Sequence, residues 1–167
     1  LSVPDAESAY HETTIRGASG AIPPTTVEDE CGVLRYSAIR AYGDTIIKFV
    51  DRSDYRGAFA PGFQPRNGYS PEADNGRAWH KGVGLAAIDH MGFSQLIHFD
   101  DQDISTEYSA LMSKVMQDGS GKVKFPINEP AEGKKKSQIQ EYLDYYYTPG
   151  VQHIACSTGD IIKTVTQ

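Results

Sequence analysis

Residues 51–82 are dense in Gly, Pro, Asn and Asp, and a stretch of that kind reads as a connection between modules. Trp79 within it reads as an aromatic anchoring the linker to a module, with a ligand contact as the alternative. Two flanks remain, and each must cover its own apolar faces. In the first, Asp5 is a candidate N-cap behind Pro4, Ala6, Ala9, Tyr10 and Thr13 recur at helical spacing, and Gly17 can end the helix. Val3 and Ala9 add a weak hydrophobic staple. Residues 18–32 read as turns, with Pro23, Pro24 and an acidic stretch through Glu30. Val33 to Ala41 and Thr45 to Val50 then read as a hairpin around Tyr42, Gly43 and Asp44. A helix buries one stripe and a lone hairpin is marginal, so this flank needs more sheet than it shows.

The second flank opens with a strand over Gly84 to His90, followed at once by Met91, Gly92 and Phe93 and a strand near Gln95 to Phe99. Thr106 to Met116 and Lys122 to Phe125 form a strand pair around 118–121, with Pro126 marking a bulge or strand end. Ser137 caps a helix whose stripe is Ile139, Tyr142, Leu143 and Tyr146, closed by Pro149 and Gly150. Val151 to Cys156 is a strand, and Asp160 opens another helix. Asp5 and Asp160 thus play the same part, an acidic cap opening a helix. That faint echo predicts repeated strand–helix–strands units.

Composition narrows the function. With 39% hydrophobic and 23% charged residues the chain has material for a core. A formal net charge of -6 gains nothing from a phosphate backbone, so no nucleic-acid partner is expected. The basic run Lys134 to Lys136 reads as a solvated helix entry. No apolar run approaches bilayer length, and the N-terminus has neither a basic segment nor a hydrophobic signal core, so no membrane partner is expected. Cys31 and Cys156 read as free buried thiols in a reducing cytoplasm, with a disulfide as the alternative.

His90 and His153 each sit among strong apolar strand neighbours. If their strands face each other across a curved sheet, the imidazoles converge. Two neutral imidazoles plus a carboxylate suit ferrous iron and leave positions open for substrate and oxygen. A lone strand histidine is more often a hydrogen-bonded structural residue, and the spacing leaves both readings open. His11 reads as helix surface, and neither His80 nor His98 has a comparable context. Asp89 is a carboxylate of the right type but a poor ligand, because neighbours on a strand face opposite ways. By the same rule Gln152 and His153 share a pocket only across a wide cleft or a local twist. Ser109, Asn128, Gln138 and Gln152 are neutral polar groups suited to a carboxylate, carbonyl or phenol. For Gln138 and Asn128 a helix start and a turn beside Pro130 are the plainer alternatives.

Phe125 to Pro130 (Phe-Pro-Ile-Asn-Glu-Pro), Lys134 to Leu143 (Lys-Lys-Lys-Ser-Gln-Ile-Gln-Glu-Tyr-Leu) and Gly150 to Ala155 (Gly-Val-Gln-His-Ile-Ala) together resemble the 4-hydroxyphenylpyruvate dioxygenase family, in its order and spacing. Ala87 to His90, Thr106 to Leu111, Tyr42 to Thr45 and Tyr55 to Phe63 also fit. The resemblance implies an α+β vicinal-oxygen-chelate fold, built from paired βαβββ modules. Here it would be truncated, with mixed curved sheets and flanking helices. It implies residues 1–55 as the C-terminal half of the first domain, 56–82 as linker and 83–167 as part of a second, catalytic domain. It implies Fe(II) held by His90, His153 and a glutamate. Ser109, Asn128, Gln138 and Gln152 would bind substrate, with 4-hydroxyphenylpyruvate and O2 as partners and homogentisate as product in tyrosine breakdown. It also implies a cytoplasmic protein, with a homo-oligomer as one possible state that the sequence does not decide.

The chain departs from the family pattern in ways that bear on activity. It opens without methionine and lacks the first half of the N-terminal domain. It also lacks the helical stretch expected between His90 and Met91, and everything after Gln167, including the strand with the glutamate ligand. Glu129 does not match that ligand. The expectation is a fragmentary product or a set of segments from a longer chain, with a weaker iron site. Two rival readings stand beside the dioxygenase. Hydroxymandelate synthase shares its substrate and iron, and a non-catalytic fragment or interaction protein needs neither.

Overall fold

Helix α1 (Ala6–Ile15) starts where the Asp5 side chain accepts the amides of Glu7 and Ser8 at 2.9 and 3.0 Å, which satisfies donors that a helix start leaves open. Gly17, at φ 100°, follows its end. The computed structural model describes residues 1–64, 83–94, 105–106, 109–130 and 136–166. The chain divides into two compact units, Leu1–Ala41 with Ile46–His80, and Tyr42–Thr45 with Lys81–Gln167.

In the first unit α1 lies on an antiparallel sheet of β1 (Gly20–Asp29), β2 (Gly32–Arg40) and β3 (Ile46–Asp51), in that order. The β2–β3 hairpin is the expected one, and β1 supplies the missing sheet. Residues 18–32 are therefore largely strand and not turns. Pro23 and Pro24 fall where the β1–β2 register slips between Ile22 and Thr25, and β1 is an edge strand. An edge with a bulge is where a strand tolerates residues that lack an amide donor. Ala6, Leu34, Ala38, Ile39, Phe49 and Tyr55 form the core. The buried Ser37 hydroxyl donates to the Ala6 carbonyl oxygen at 2.6 Å and ties α1 to β2.

The second unit is a mixed five-stranded sheet ordered β5 (Ser105–Thr106), β6 (Ser109–Gln117), β7 (Lys124–Pro130), β4 (Leu85–Ser94), β8 (Gly150–Thr158). Only β4 and β7 run parallel; β5–β6, β6–β7 and β4–β8 are antiparallel. β4 runs unbroken through Met91, Gly92 and Phe93. Pro126 does not end its strand: β7 continues to Pro130. Pairing of β7 with β4 begins only at Ile127, so no ladder bond is lost on that side. The strand expected at Gln95 to Phe99 lies outside the described residues, as do Trp79, His80 and His98.

Helix α2 (Gln138–Tyr146) is capped by Ser137, whose hydroxyl accepts the Ile139 amide at 3.2 Å. Ile139 and Leu143 are buried, each contributing about 1.5–3 kcal/mol. Tyr146 of the expected stripe is exposed instead. Lys136 pairs with Asp144, which fits its reading as a surface residue. Asp160 accepts the Lys163 amide at 3.0 Å at the start of α3 (Ile161–Thr166), repeating the part of Asp5. Cys31 and Cys156 are free, as expected, but exposed and not buried. Among the described residues no helix is long and apolar enough to cross a membrane.

Candidate metal centre

β4 and β8 are hydrogen-bonded neighbours in one sheet; they do not face each other across a curve. His90 is opposite Ala155 and Gly92 is opposite His153. The two histidines are therefore diagonal neighbours on a shared face, a spacing that long or aromatic side chains can bridge. Their Nε2 atoms come within 3.4 Å, and the rings meet edge to face. Gly92 makes room for this: a Cβ there would sit 2.6 Å from His153 Nε2 and 2.7 Å from Nδ1.

The far side of each ring is occupied. His90 Nδ1 is 2.8 Å from Asp89 Oδ2, and Lys124 donates to Asp89 Oδ1 at 3.1 Å. His153 Nδ1 is 2.9 Å from Gln152 Oε1. Both contacts join sequence neighbours, which a regular strand forbids. In the β4–β8 ladder the register slips between Ile88 and His90, which leaves Asp89 as an extra residue on β4, and between Gly92 and Phe93, which leaves Gln152 as an extra residue on β8; a bulge re-aims side chains in this way. Asp89 thus touches an imidazole from behind. Hydrogen bonds from His90 and then Lys124 hold its carboxyl below the usual carboxylate range.

The donor set fits a transition-metal ion in part. Metal–nitrogen bonds of about 2.1 Å allow nitrogens at this separation to share one ion, and neutral imidazole suits iron. Among the described residues no third histidine, cysteine, aspartate or glutamate joins the pair. Glu129 is buried in β7, opposite Met112.

The other candidate residues scatter over the second unit. Asn128 is buried on β7, in register with Ser94 of β4. Ser94, which carries no signal in the sequence, has a buried hydroxyl without a hydrogen-bond partner among the described residues. Ser109 opens β6 beside Thr106. Gln138, exposed, is the first residue of α2. His11 lies exposed on α1 near Glu7. A pocket of about 440 Å³ lies in the first unit instead, lined by Asp5, Arg35 and Asp51 among others. Those charges are committed to a helix cap, a turn and ion pairs.

No protein-family model matches the chain. It is 42% identical, over 99% of its length, to a 4-hydroxyphenylpyruvate dioxygenase from Tetrahymena thermophila, of which it covers 45%. Enzymes of the same name from Aspergillus fumigatus and Dictyostelium discoideum are each 40% identical, with 45% and 50% of their lengths covered. The chain spans about half the length of the curated relatives it matches. The first alignment runs over 181 positions, more than the 167 residues here, so the relative carries residues within it that this chain does not. A solved structure of a mutant 4-hydroxymandelate synthase from Streptomyces coelicolor superposes with a TM-score of 0.63 at 16% identity, covering 99% of this chain and 50% of that one. At that identity the likeness is one of fold, an open vicinal-oxygen-chelate arrangement.

Proposed function

The chain is a homologue of the 4-hydroxyphenylpyruvate dioxygenases over nearly its whole length, and from that premise we propose that it serves the iron(II)-dependent conversion of 4-hydroxyphenylpyruvate and O2 to homogentisate. The observation that carries this reading is the meeting of His90 Nε2 and His153 Nε2 at 3.4 Å, with both Nδ1 atoms already engaged. These two nitrogens would hold the metal. Bound iron(II) supplies the Lewis acidity and redox chemistry for oxidative decarboxylation and ring hydroxylation. Residues 83–167 act as the catalytic module, 56–82 as linker, and 1–55 as half of a first module.

The chain's own residues bind and orient. Gln152 meets His153 Nδ1 through one end of its amide, which leaves the other end free for the substrate. Asn128, buried on β7, offers both a donor and an acceptor without adding charge. Ser109 and Gln138 complete a neutral polar set in the same reading. Holding the reacting groups in a fixed geometry is the protein's main kinetic contribution.

The test is an anaerobic titration with iron(II), followed by product analysis after adding 4-hydroxyphenylpyruvate and air. Stoichiometric iron and homogentisate, both lost in His90→Ala and His153→Ala, is the expected result. Hydroxymandelate instead would reassign the reaction. A folded chain that binds no iron and makes neither product would overturn the reading for this chain.

A further inference from the structure

We propose that Asp89, braced by Lys124, is the positioning residue that locks His90 in the tautomer with its hydrogen on Nδ1, so that Nε2 is bare and aimed at His153. A carboxylate only accepts hydrogen bonds. An imidazole nitrogen 2.8 Å from Asp89 Oδ2 must therefore carry the hydrogen, and donates it. The other ring nitrogen of the neutral side chain is then an acceptor. Lys124 occupies Oδ1 at 3.1 Å, so the two carboxylate oxygens are held by different donors. The brace crosses the sheet, since Lys124 opens β7 and Asp89 lies on its neighbour β4.

The two histidines are not treated alike. Gln152 stands behind His153 at 2.9 Å, but an amide presents either an oxygen or an NH2 group. It can therefore serve either tautomer of His153, and only His90 is locked. Across the 3.4 Å gap the bare Nε2 of neutral His90 meets an adaptable partner. The lock follows from geometry alone; its purpose, presenting a ligand nitrogen, rests on the metal reading above.

The experiment is long-range proton–nitrogen NMR on the metal-free chain labelled with 15N-histidine, at a pH about 1.5 units above the ordinary imidazole pKa of about 6.5. The expected spectrum has His90 protonated on Nδ1 and bare on Nε2. Asp89→Ala should move the hydrogen to Nε2, and Asp89→Asn, whose amide presents either an oxygen or an NH2 group, should leave the two forms mixed. Lys124→Met should give a smaller shift towards Nε2, and Gln152→Ala should leave His90 unchanged. Cobalt(II) titration gives a second readout, with Asp89→Ala weakening binding by about 10–100-fold and Asp89→Asn by less. A wild-type His90 carrying its hydrogen on Nε2, or one unmoved in Asp89→Ala, would overturn the proposal. If Asp89→Ala does not fold, the spectra of the wild type and Asp89→Asn decide. The expected tautomer in a chain that binds no cobalt(II) would refute the metal reading and leave the lock standing.

Discussion

The two units handle polar groups differently. In the first, such groups close on themselves: Ser37 donates to Ala6, Asp51 accepts from Ser53 and faces Arg35, and Tyr55 donates to Asp29. In the second, Ser137 closes on the Ile139 amide in the same way, but other polar groups do not. The exposed His153 and half-buried His90 turn nitrogens toward each other, and the buried Ser94 hydroxyl has no hydrogen-bond partner among the described residues. A closed network stabilises a fold, whereas an open one costs stability and persists where a site needs it. The contrast makes the second unit the place to test for chemistry.

Matched glycine substitutions put the largest strain on this contrast. Gly32, at φ 116°, packs so that a Cβ would run into the Asp54 carbonyl oxygen. Gly32→Ala should cost about 3 kcal/mol in urea unfolding, the upper end for strained backbone, and leave cobalt(II) affinity unchanged. Gly92 has no such backbone constraint; its Cβ would meet the His153 ring. Gly92→Ala should lower cobalt(II) affinity by about 10–100-fold, the range seen when groups that orient a metal ligand are lost, with a smaller stability loss. Equal effects of both variants on metal binding would erase the distinction between the units.

Serine truncations give a smaller and oppositely signed pair. Ser37→Ala strips the Ala6 carbonyl of its buried donor and should destabilise by about 1–2 kcal/mol. Ser94→Ala removes an unsatisfied hydroxyl and should be neutral or stabilising by up to about 1 kcal/mol. A Ser94→Ala variant less stable than wild type would show that the hydroxyl has a partner in solution and that the second unit is as closed as the first.

What the sequence disclosed follows the range of each interaction. Asp5, Ser137 and Asp160 were legible as caps because a cap and its amides lie within three residues. The β2–β3 hairpin was legible from its turn. β1 was not, because Pro23 and Pro24 read as turn formers unless the edge position and the register slip are known. His90 and His153 stood out as strand imidazoles, but their meeting depends on β4 pairing with β8 across 63 residues. Asp89 was set aside by strand alternation, and the β4 bulge that suspends alternation leaves no mark in composition. Ser94 carries no local signal, since its isolation is a property of packing alone.

The smallest effect separates two turn carboxylates. Asp118, between β6 and β7, accepts from the Ser120 hydroxyl and from the amides of Ser120 and Val123. These bonds, the Ser120 side chain first, bring its pKa down to about 2. Asp51 at the end of β3 is lowered too, by Ser53 and then by Arg35. A carboxyl whose folded pKa lies below its unfolded value of about 3.9 contributes stability that is fully present above the unfolded value. That contribution fades as pH falls through the folded value, so the Asp118 share should be lost between about pH 4 and pH 2. Carbon-13 titration should give Asp118 a midpoint of about 2, and Asp118→Asn should flatten the acid limb of stability over that window alone. An Asp118 midpoint near 3.9, the unperturbed value, would mean that the β6–β7 turn is not held by its carboxylate in solution.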